Sequence, residues 1–245
     1  MYGNHRVFHK SAIVCKIYKI SSEIYYLRIK EKNISKNVIP GQFFHIKIDE
    51  LPLRRPLSVF DVKREFIDFI FKVRGKGTRI LTSLEKGERI DLIGPCGNGF
   101  KIFDSRPIFF AGGIGFAPLY FLAKNYERKG IFIYGVRRKK EFVPFEVQGH
   151  RFIRVSEEEG KKVTDFLNLV EDDDIIYAAG PRDMLKKIIG FSKRRGVKCF
   201  FSWEERMGCG IGLCRCCVIF TKDGNKRVCI DGPVFSKDEV DLKCL

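Results

Sequence analysis

Pro107-Ile108-Phe109-Phe110-Ala111-Gly112-Gly113-Ile114-Gly115-Phe116-Ala117-Pro118 runs from an apolar stretch through three glycines into a second apolar stretch. This is the pattern of a strand, a tight turn and a helix. Glycines in such a turn let the phosphates of a ligand approach the backbone, and the helix N-terminus favours negative charge. The spacing is not the strict G-x-G-x-x-G of a dinucleotide fold, and a tight turn that holds no ligand explains it equally well. A second strand end, Ala178-Ala179-Gly180-Pro181-Arg182-Asp183-Met184, has the same character. Strands are expected at 107–111, 131–135 and 175–179, and helices at 117–128, 164–169 and 182–195. That alternation predicts a parallel α/β sheet with both Gly-rich turns on its carboxyl edge, where ligands bind.

Upstream the pattern changes. Residues 12–20, 24–29, 42–48, 58–62, 66–73 and 89–93 are short runs rich in β-branched and aromatic side chains, punctuated by Gly and Pro. They predict a small antiparallel barrel. Within it, Arg54-Arg55-Pro56-Leu57-Ser58 can present a guanidinium and a hydroxyl to anionic oxygens. Phe71-Lys72-Val73-Arg74-Gly75-Lys76-Gly77-Thr78 reads as a strand, a turn and a helix reaching Leu84. It is a second candidate phosphate cradle, although helix capping alone would explain the Thr.

Downstream, five of the nine cysteines fall between 209 and 229, four of them as Cys209-x4-Cys214-x2-Cys217-x11-Cys229. This is the plant-type [2Fe–2S] spacing. Gly210 and Gly212 allow the loop to wrap an inorganic core, with backbone N–H groups directed at its sulfurs. The fourth ligand is expected from a hairpin of 218–220 and 227–230 around a turn at 222–225. Zinc prefers paired C-x2-C knuckles, and only Cys214 and Cys217 form one. Cys216 is an alternative to Cys217 as third ligand. Neighbours in extended backbone face opposite ways, so only one of them is expected to meet the cluster.

The composition narrows the function classes. The formal net charge is +16, which suits an acidic partner, nucleic acid or an anionic membrane. The cations are scattered apart from Arg137-Arg138-Lys139-Lys140 and Lys193-Arg194-Arg195. No helix-turn-helix or other nucleic-acid motif accompanies them, so no nucleic acid is expected. No apolar run approaches the ~20 residues of a membrane span. Residues 1–10 lack a signal-peptide core, so a cytoplasmic protein is expected.

The order of the motifs carries a resemblance. Arg-Pro-Leu-Ser, Gly-Lys-Gly-Thr, Gly94-Pro95-Cys96-Gly97-Asn98-Gly99-Phe100, Ala-Gly-Gly-Ile-Gly, Tyr134-Gly135-Val136-Arg137 and Gly180-Pro181 together resemble the ferredoxin–NAD(P)⁺ reductase superfamily over residues 12–201. The run from Glu204 to Cys214, followed by Val228-Cys229-Ile230-Asp231-Gly232-Pro233-Val234-Phe235, narrows it. The chain then resembles the electron-transfer subunits of NAD-dependent dihydroorotate dehydrogenases.

That resemblance implies an FAD-binding barrel at 1–104, an NAD-binding α/β domain at 105–200 and a [2Fe–2S] domain at 201–245. It implies flavin contacts at Arg55, Pro56, Leu57, Ser58, Phe71, Lys72 and Val73. Gly77 and Thr78 would form the pyrophosphate turn, and Gly112, Gly113 and Gly115 the nicotinamide-nucleotide turn. Cys209, Cys214, Cys217 and Cys229 would be the cluster ligands. No general acid or base is implied. The implied partner is an FMN-containing catalytic subunit that oxidises dihydroorotate in pyrimidine synthesis, two copies of each forming a heterotetramer. Related electron-transfer subunits of sulfide dehydrogenases, ferredoxin–NADP transhydrogenases and hydrogenases share the pattern. Three departures stand out: Ala179 where superfamily members often carry Cys, Arg215-Cys216 before the third ligand, and Ile230 between Cys229 and Asp231. The basic run at 137–140 raises NADP as an alternative to NAD.

Overall fold

The computed structural model describes residues 7–241. Strands β1 (Phe8–Ser21), β2 (Ile24–Lys30), β3 (Phe43–Ile46), β4 (Arg55–Lys63), β5 (Phe66–Lys72) and β6 (Arg89–Cys96) close into a barrel in the order β1-β2-β5-β4-β3-β6. A short helix, α1 (Lys76–Leu81), links β5 to β6. Alternation along β5 shows why this segment forms a barrel wall. Ile67, Phe69 and Phe71 point into the barrel core, while Ile70 faces the neighbouring α/β layer. Asp68, on the outer face, is buried against Arg28 in a two-pronged ion pair with both distances 2.7 Å.

The second layer is a six-stranded sheet. Its strands are β7 (Pro107–Gly112), β8 (Ile131–Val136), β9 (Arg151–Ser156), β10 (Ile175–Ala179) and β11 (Lys198–Ser202), with β14 (Val234–Ser236) on the edge, in the order β14-β11-β10-β7-β8-β9. All but β14 are parallel. Helix α2 (Phe116–Lys124) follows β7, and α3 (Arg182–Arg195) follows β10. Strand β7 is buried on both faces, as a central parallel strand must be. Ile108 and Phe110 join one core, Phe109 and Ala111 the other. Phe109 is stacked between Phe132 and Tyr177 at 5.4 and 5.6 Å. Truncating such a ring to Ala costs about 3–5 kcal/mol.

The remaining strands, β12 (Val218–Thr221) and β13 (Gly224–Arg227), form a hairpin. The C-terminal segment is not a separate bead. Strand β14 pairs antiparallel with β11, and the 200/201 boundary expected from the sequence falls inside β11. Phe43 of the barrel, Phe201 of the sheet, and Cys217 and Cys229 of the cysteine segment share one buried core. Among the described residues no helix is long and apolar enough to cross a membrane.

Four elements differ from the sequence reading. Helix α2 stops at Lys124 rather than 128, and α1 at Leu81 rather than 84. Residues 163–169 wind as a 3-10 helix. Strand β13 ends at Arg227, so Cys229 lies in the turn that follows the hairpin. Strands β9, β11 and β14 were not legible as strands.

Candidate electron-transfer site

Two cavities lie side by side where the barrel meets the sheet. The smaller, about 200 Å³, is lined by Pro56, Leu57 and Ser58 of β4 and by Phe71, Lys72, Arg74 and Thr78 around the end of β5. Its opposite wall is Ser202, Trp203, Glu204, Glu205, Met207 and Pro233, the approach to the cysteine segment. The larger, about 890 Å³, runs along the carboxyl edge of the sheet past Gly112, Gly113 and Gly115, Gly135 to Arg137, and Gly180 to Leu185. Lys72, Arg74, Ile114 and Glu204 line both, so the cavities open into one another. A flat ligand in the first can therefore face a ligand in the second.

Local structure explains this placement. Gly115 sits under the end of β10, and a Cβ there would collide with the carbonyl oxygen of Ala179. Only glycine lets the two turns pack together and leave the edge open. Gly113 has φ +54° with nothing near its Cβ position, which leaves its backbone accessible. Gly77 lies under the Arg55 guanidinium, whose Cζ would stand 2.7 Å from a Cβ at Gly77. Thr78 caps α1 by accepting the Arg74 and Gly75 N–H groups at 2.9 and 3.2 Å. Arg55 itself is held by the Leu53 and Arg54 carbonyls at 2.6 and 3.2 Å. Pro56, Leu57, Ser58, Phe71, Lys72 and Thr78 thus gather in one cleft, with Arg55 and Gly77 packed together beside it. Val73 turns to the larger cavity with the three glycines.

Lys72 is aimed by Glu141, at 2.9 Å from Nζ to Oε2, which ties the barrel to the loop after β8. Burial pushes the Glu141 carboxyl up, but Lys72 and Arg138 outweigh it and hold it below its ordinary value. Two of the four cations at 137–140 are occupied. Arg138 pairs with Glu141 and Lys139 with Glu159, at 3.1 and 2.6 Å. Only Arg137 of this run lines the large cavity, joined there by Lys161 and Lys162 and by several carboxylates, Glu157 and Glu141 among them.

The four cysteines of the spaced pattern form two pairs. Cys209 and Cys214 exchange N–H···Sγ contacts of 3.4 Å, and the Cys229 N–H reaches the Cys217 sulfur at 3.4 Å. The backbone amides of Cys216 and Cys209 hold the Cys214 thiol down to about 6. Burial and the neighbouring Cys217 push the Cys229 thiol up to about 12, against the pull of the Gly212 amide. Cys217 is buried and Cys216 exposed. Among the described residues no three His, Cys, Asp or Glu side chains already converge on one metal position. The donor set nevertheless suits a [2Fe–2S] core, which takes four thiolates, two on each iron. The amides directed at the sulfurs match the way a loop offsets the charge of such a core.

Several site residues were not singled out from sequence. Arg74 and Ile114 lie within the Gly-containing turns noted in the sequence without a role assigned to them, and Trp203 and Met207 have no local signal, yet all four line the cavities. Trp203 is locked by its Nε1–H to Glu205 at 3.3 Å and by Arg182 lying 5.3 Å over its ring. His45, on β3, is fully buried with neither ring nitrogen partnered. Burial, helped by the Arg54 charge, drives its pKa down to about 4.

Residues 204–241 match the model of the iron-sulfur cluster binding domain of dihydroorotate dehydrogenase B. Over 234 residues the chain is 36% identical to a protein of Caldanaerobacter subterraneus subsp. tengcongensis named dihydroorotate dehydrogenase B (NAD(+)), electron transfer subunit. That match covers 91% of this chain and 94% of the relative. The chain belongs to this family of electron transfer subunits. A Bacillus cereus (strain G9842) member is also 36% identical over 257 residues, covering 95% of this chain and 98% of its own. Among solved structures, an NADH-dependent reduced ferredoxin-NADP oxidoreductase aligns with TM-score 0.84 and 28% identity, covering 95% of this chain and 90% of that one. Ferredoxin-NADP⁺ reductase from Plasmodium falciparum shares the fold, with TM-score 0.62, 16% identity and coverage of 76% and 90%. The family makes the chain a flavin and iron–sulfur oxidoreductase subunit, a part that transfers electrons on behalf of a catalytic subunit.

Proposed function

We propose that this chain carries electrons from a separate FMN-containing subunit, which oxidises dihydroorotate, to NAD⁺. Its cofactors are FAD, a [2Fe–2S] cluster and NAD. In the whole reaction dihydroorotate loses two electrons and two protons to become orotate, and NAD⁺ gains a hydride while one proton is released. When bound, the flavin exchanges a hydride with the nicotinamide and single electrons with the cluster.

The chain's own residues hold and orient. Pro56, Leu57, Ser58, Phe71 and Lys72 cradle the flavin ring side of the small cavity. Arg55, Gly77 and Thr78 offer its phosphates a cation, a bare backbone and a hydroxyl. Gly112, Gly113 and Gly115 receive the nucleotide phosphates. Cys209 and Cys214, and Cys217 and Cys229, would supply the four thiolates that hold the cluster. No side chain is assigned as a general acid or base. The observation that carries this reading is the shared lining of the two cavities at Lys72, Arg74, Ile114 and Glu204, with residues 202–207 walling the flavin side.

The surface around the cluster loop supports a docking role. Leu213 is 78% and Phe220 59% exposed, an unusual outlay of large apolar side chains. Two copies of this chain are proposed to flank a dimer of catalytic subunits, in the cytoplasm, where thiols stay reduced. Isolation from native cells tests the reading. A dihydroorotate-oxidising flavoprotein should co-purify, and only the complex should reduce NAD⁺ with dihydroorotate.

A second reading is favoured by the similarity to the ferredoxin-NADP oxidoreductase and by the free cations Arg137, Lys161 and Lys162. It is that of an electron-transfer subunit serving a transhydrogenase. Steady-state rates separate the two: kcat/KM higher for NADH supports the first, and a clear preference for NADPH supports the second.

A further inference from the structure

We propose that His45 is a positioning residue for the iron–sulfur cluster, with its ring N–H donated to the sulfur at Cys209. The inference rests on the cluster assignment above.

His45 lies on β3 with 0% exposure, and neither Nδ1 nor Nε2 has a partner. A buried N–H without an acceptor is costly, and barrels rarely keep one at a position that Val or Ile would fill. The ring does not face the barrel core. It meets the cysteine loop: a Cβ built at Gly210 would stand 2.5 Å from His45 Nε2 and 2.9 Å from Cγ. Gly210 is also left-handed, at φ +73°, so the loop turns against the imidazole edge at a residue where no side chain could fit. Gly210 follows Cys209 directly.

The neighbouring side chains on the barrel wall are aromatic, apolar or already engaged. On the same face of β3, Phe43 stands 5.5 Å away, ring to ring. Arg54 is a cation engaged with Asp91, and His45's register partner on β6 is Ile93. Cys96, buried across from Phe43, gives its S–H to the Ile93 carbonyl at 3.5 Å. The neutral ring therefore has one N–H to give, and the sulfur-bearing loop is what lies against it. A donor to a cluster sulfur stabilises the reduced, more negative state and raises the reduction potential. It also fastens the cluster loop to the barrel wall next to Phe43, which lines the flavin cavity.

The test uses the full chain with its cluster. Grown with ¹⁵N-histidine and reduced, the wild type should show a ¹⁵N hyperfine coupling to the cluster in pulsed EPR, absent in His45→Leu. The cluster midpoint potential should move negative in His45→Leu and stay near wild type in His45→Gln, which keeps an N–H donor. Iron content should match the wild type in both. No histidine coupling in the wild type overturns the proposal, as does an unchanged potential in His45→Leu with full iron. If His45→Leu fails to hold iron, the wild-type coupling and the His45→Gln potential decide. A wild-type protein without a [2Fe–2S] spectrum instead removes the cluster assignment itself.

Discussion

Cys216 and Cys217 are neighbours in sequence and opposite in environment. Cys217 is 2% exposed beside the Cys229 amide, while Cys216 stands on the surface next to Cys214. The sequence argument that extended neighbours face opposite ways predicted the split but not its sense. What decides it is β12, which begins at Val218 and carries the preceding residue inward. Cys217→Ser is expected to lose most of the bound iron and the visible absorbance, and Cys216→Ser to keep both. Iron assay of the two purified variants checks this, and the reverse result would remove Cys217 from the ligand set. At the same scale His45 was invisible in sequence. It sits in Phe43-Phe44-His45-Ile46, where one polar residue in an apolar strand has no signal of its own. Only the approach of Gly210, 165 positions later in the chain, marks it.

Elements meet here through a few buried charges. Lys72 at the end of β5 and Glu141 after β8 clasp barrel to sheet, and Lys124 of α2 reaches Asp61 of β4 at 2.5 Å. Glu141 is 8% exposed and held below the ordinary carboxylate range, so it contributes stability while ionised. That contribution is complete above its unfolded value of about 4.3 and is lost as pH falls through the lower folded value. Glu141→Gln should cost about 1–3 kcal/mol at neutral pH, typical of losing hydrogen bonds to a charged group. The gap between variant and wild type should begin to narrow as pH falls below the unfolded value, about 4.3. Urea melts at pH 7 and pH 3.5 measure it, and an equal gap at both would show that the ion pairs contribute nothing. Element types were readable where the periodicity was strong, as in α3 and β10. Strand β9 was not, because Arg151 and Arg154 break its apolar run at the sheet edge. Strand β14 is only three residues long and owes its conformation to β11.

Over the whole molecule, the charge of +16 is unfavourable for self-association through basic faces and favours an acidic partner. Many cations are paired at the surface, but screening acts on their summed field. Association with the dihydroorotate-oxidising subunit should be fast at low salt and slow steeply as salt is added, since screening acts over about 8–10 Å at physiological ionic strength. Stopped-flow mixing across a salt series tests this. Rates indifferent to salt would leave the apolar patch around Leu213 and Phe220 as the docking determinant. No binding even at low salt would refute the partner.

The sequence by itself determined the strongly periodic elements, the three-part order, the cysteine spacing and the two Gly-rich turns. Each is a local property, fixed by backbone freedom, side-chain periodicity or ligand spacing within a few residues. The tertiary structure alone decided that β14 ties the cysteine segment into the sheet and that residues 202–207 wall the smaller cavity. It also decided that, of the four cations at 137–140, Arg137 lines the larger cavity and the others do not. These depend on contacts between segments far apart in the chain. Such contacts are set by packing and pairing among whole elements, and no local pattern records them.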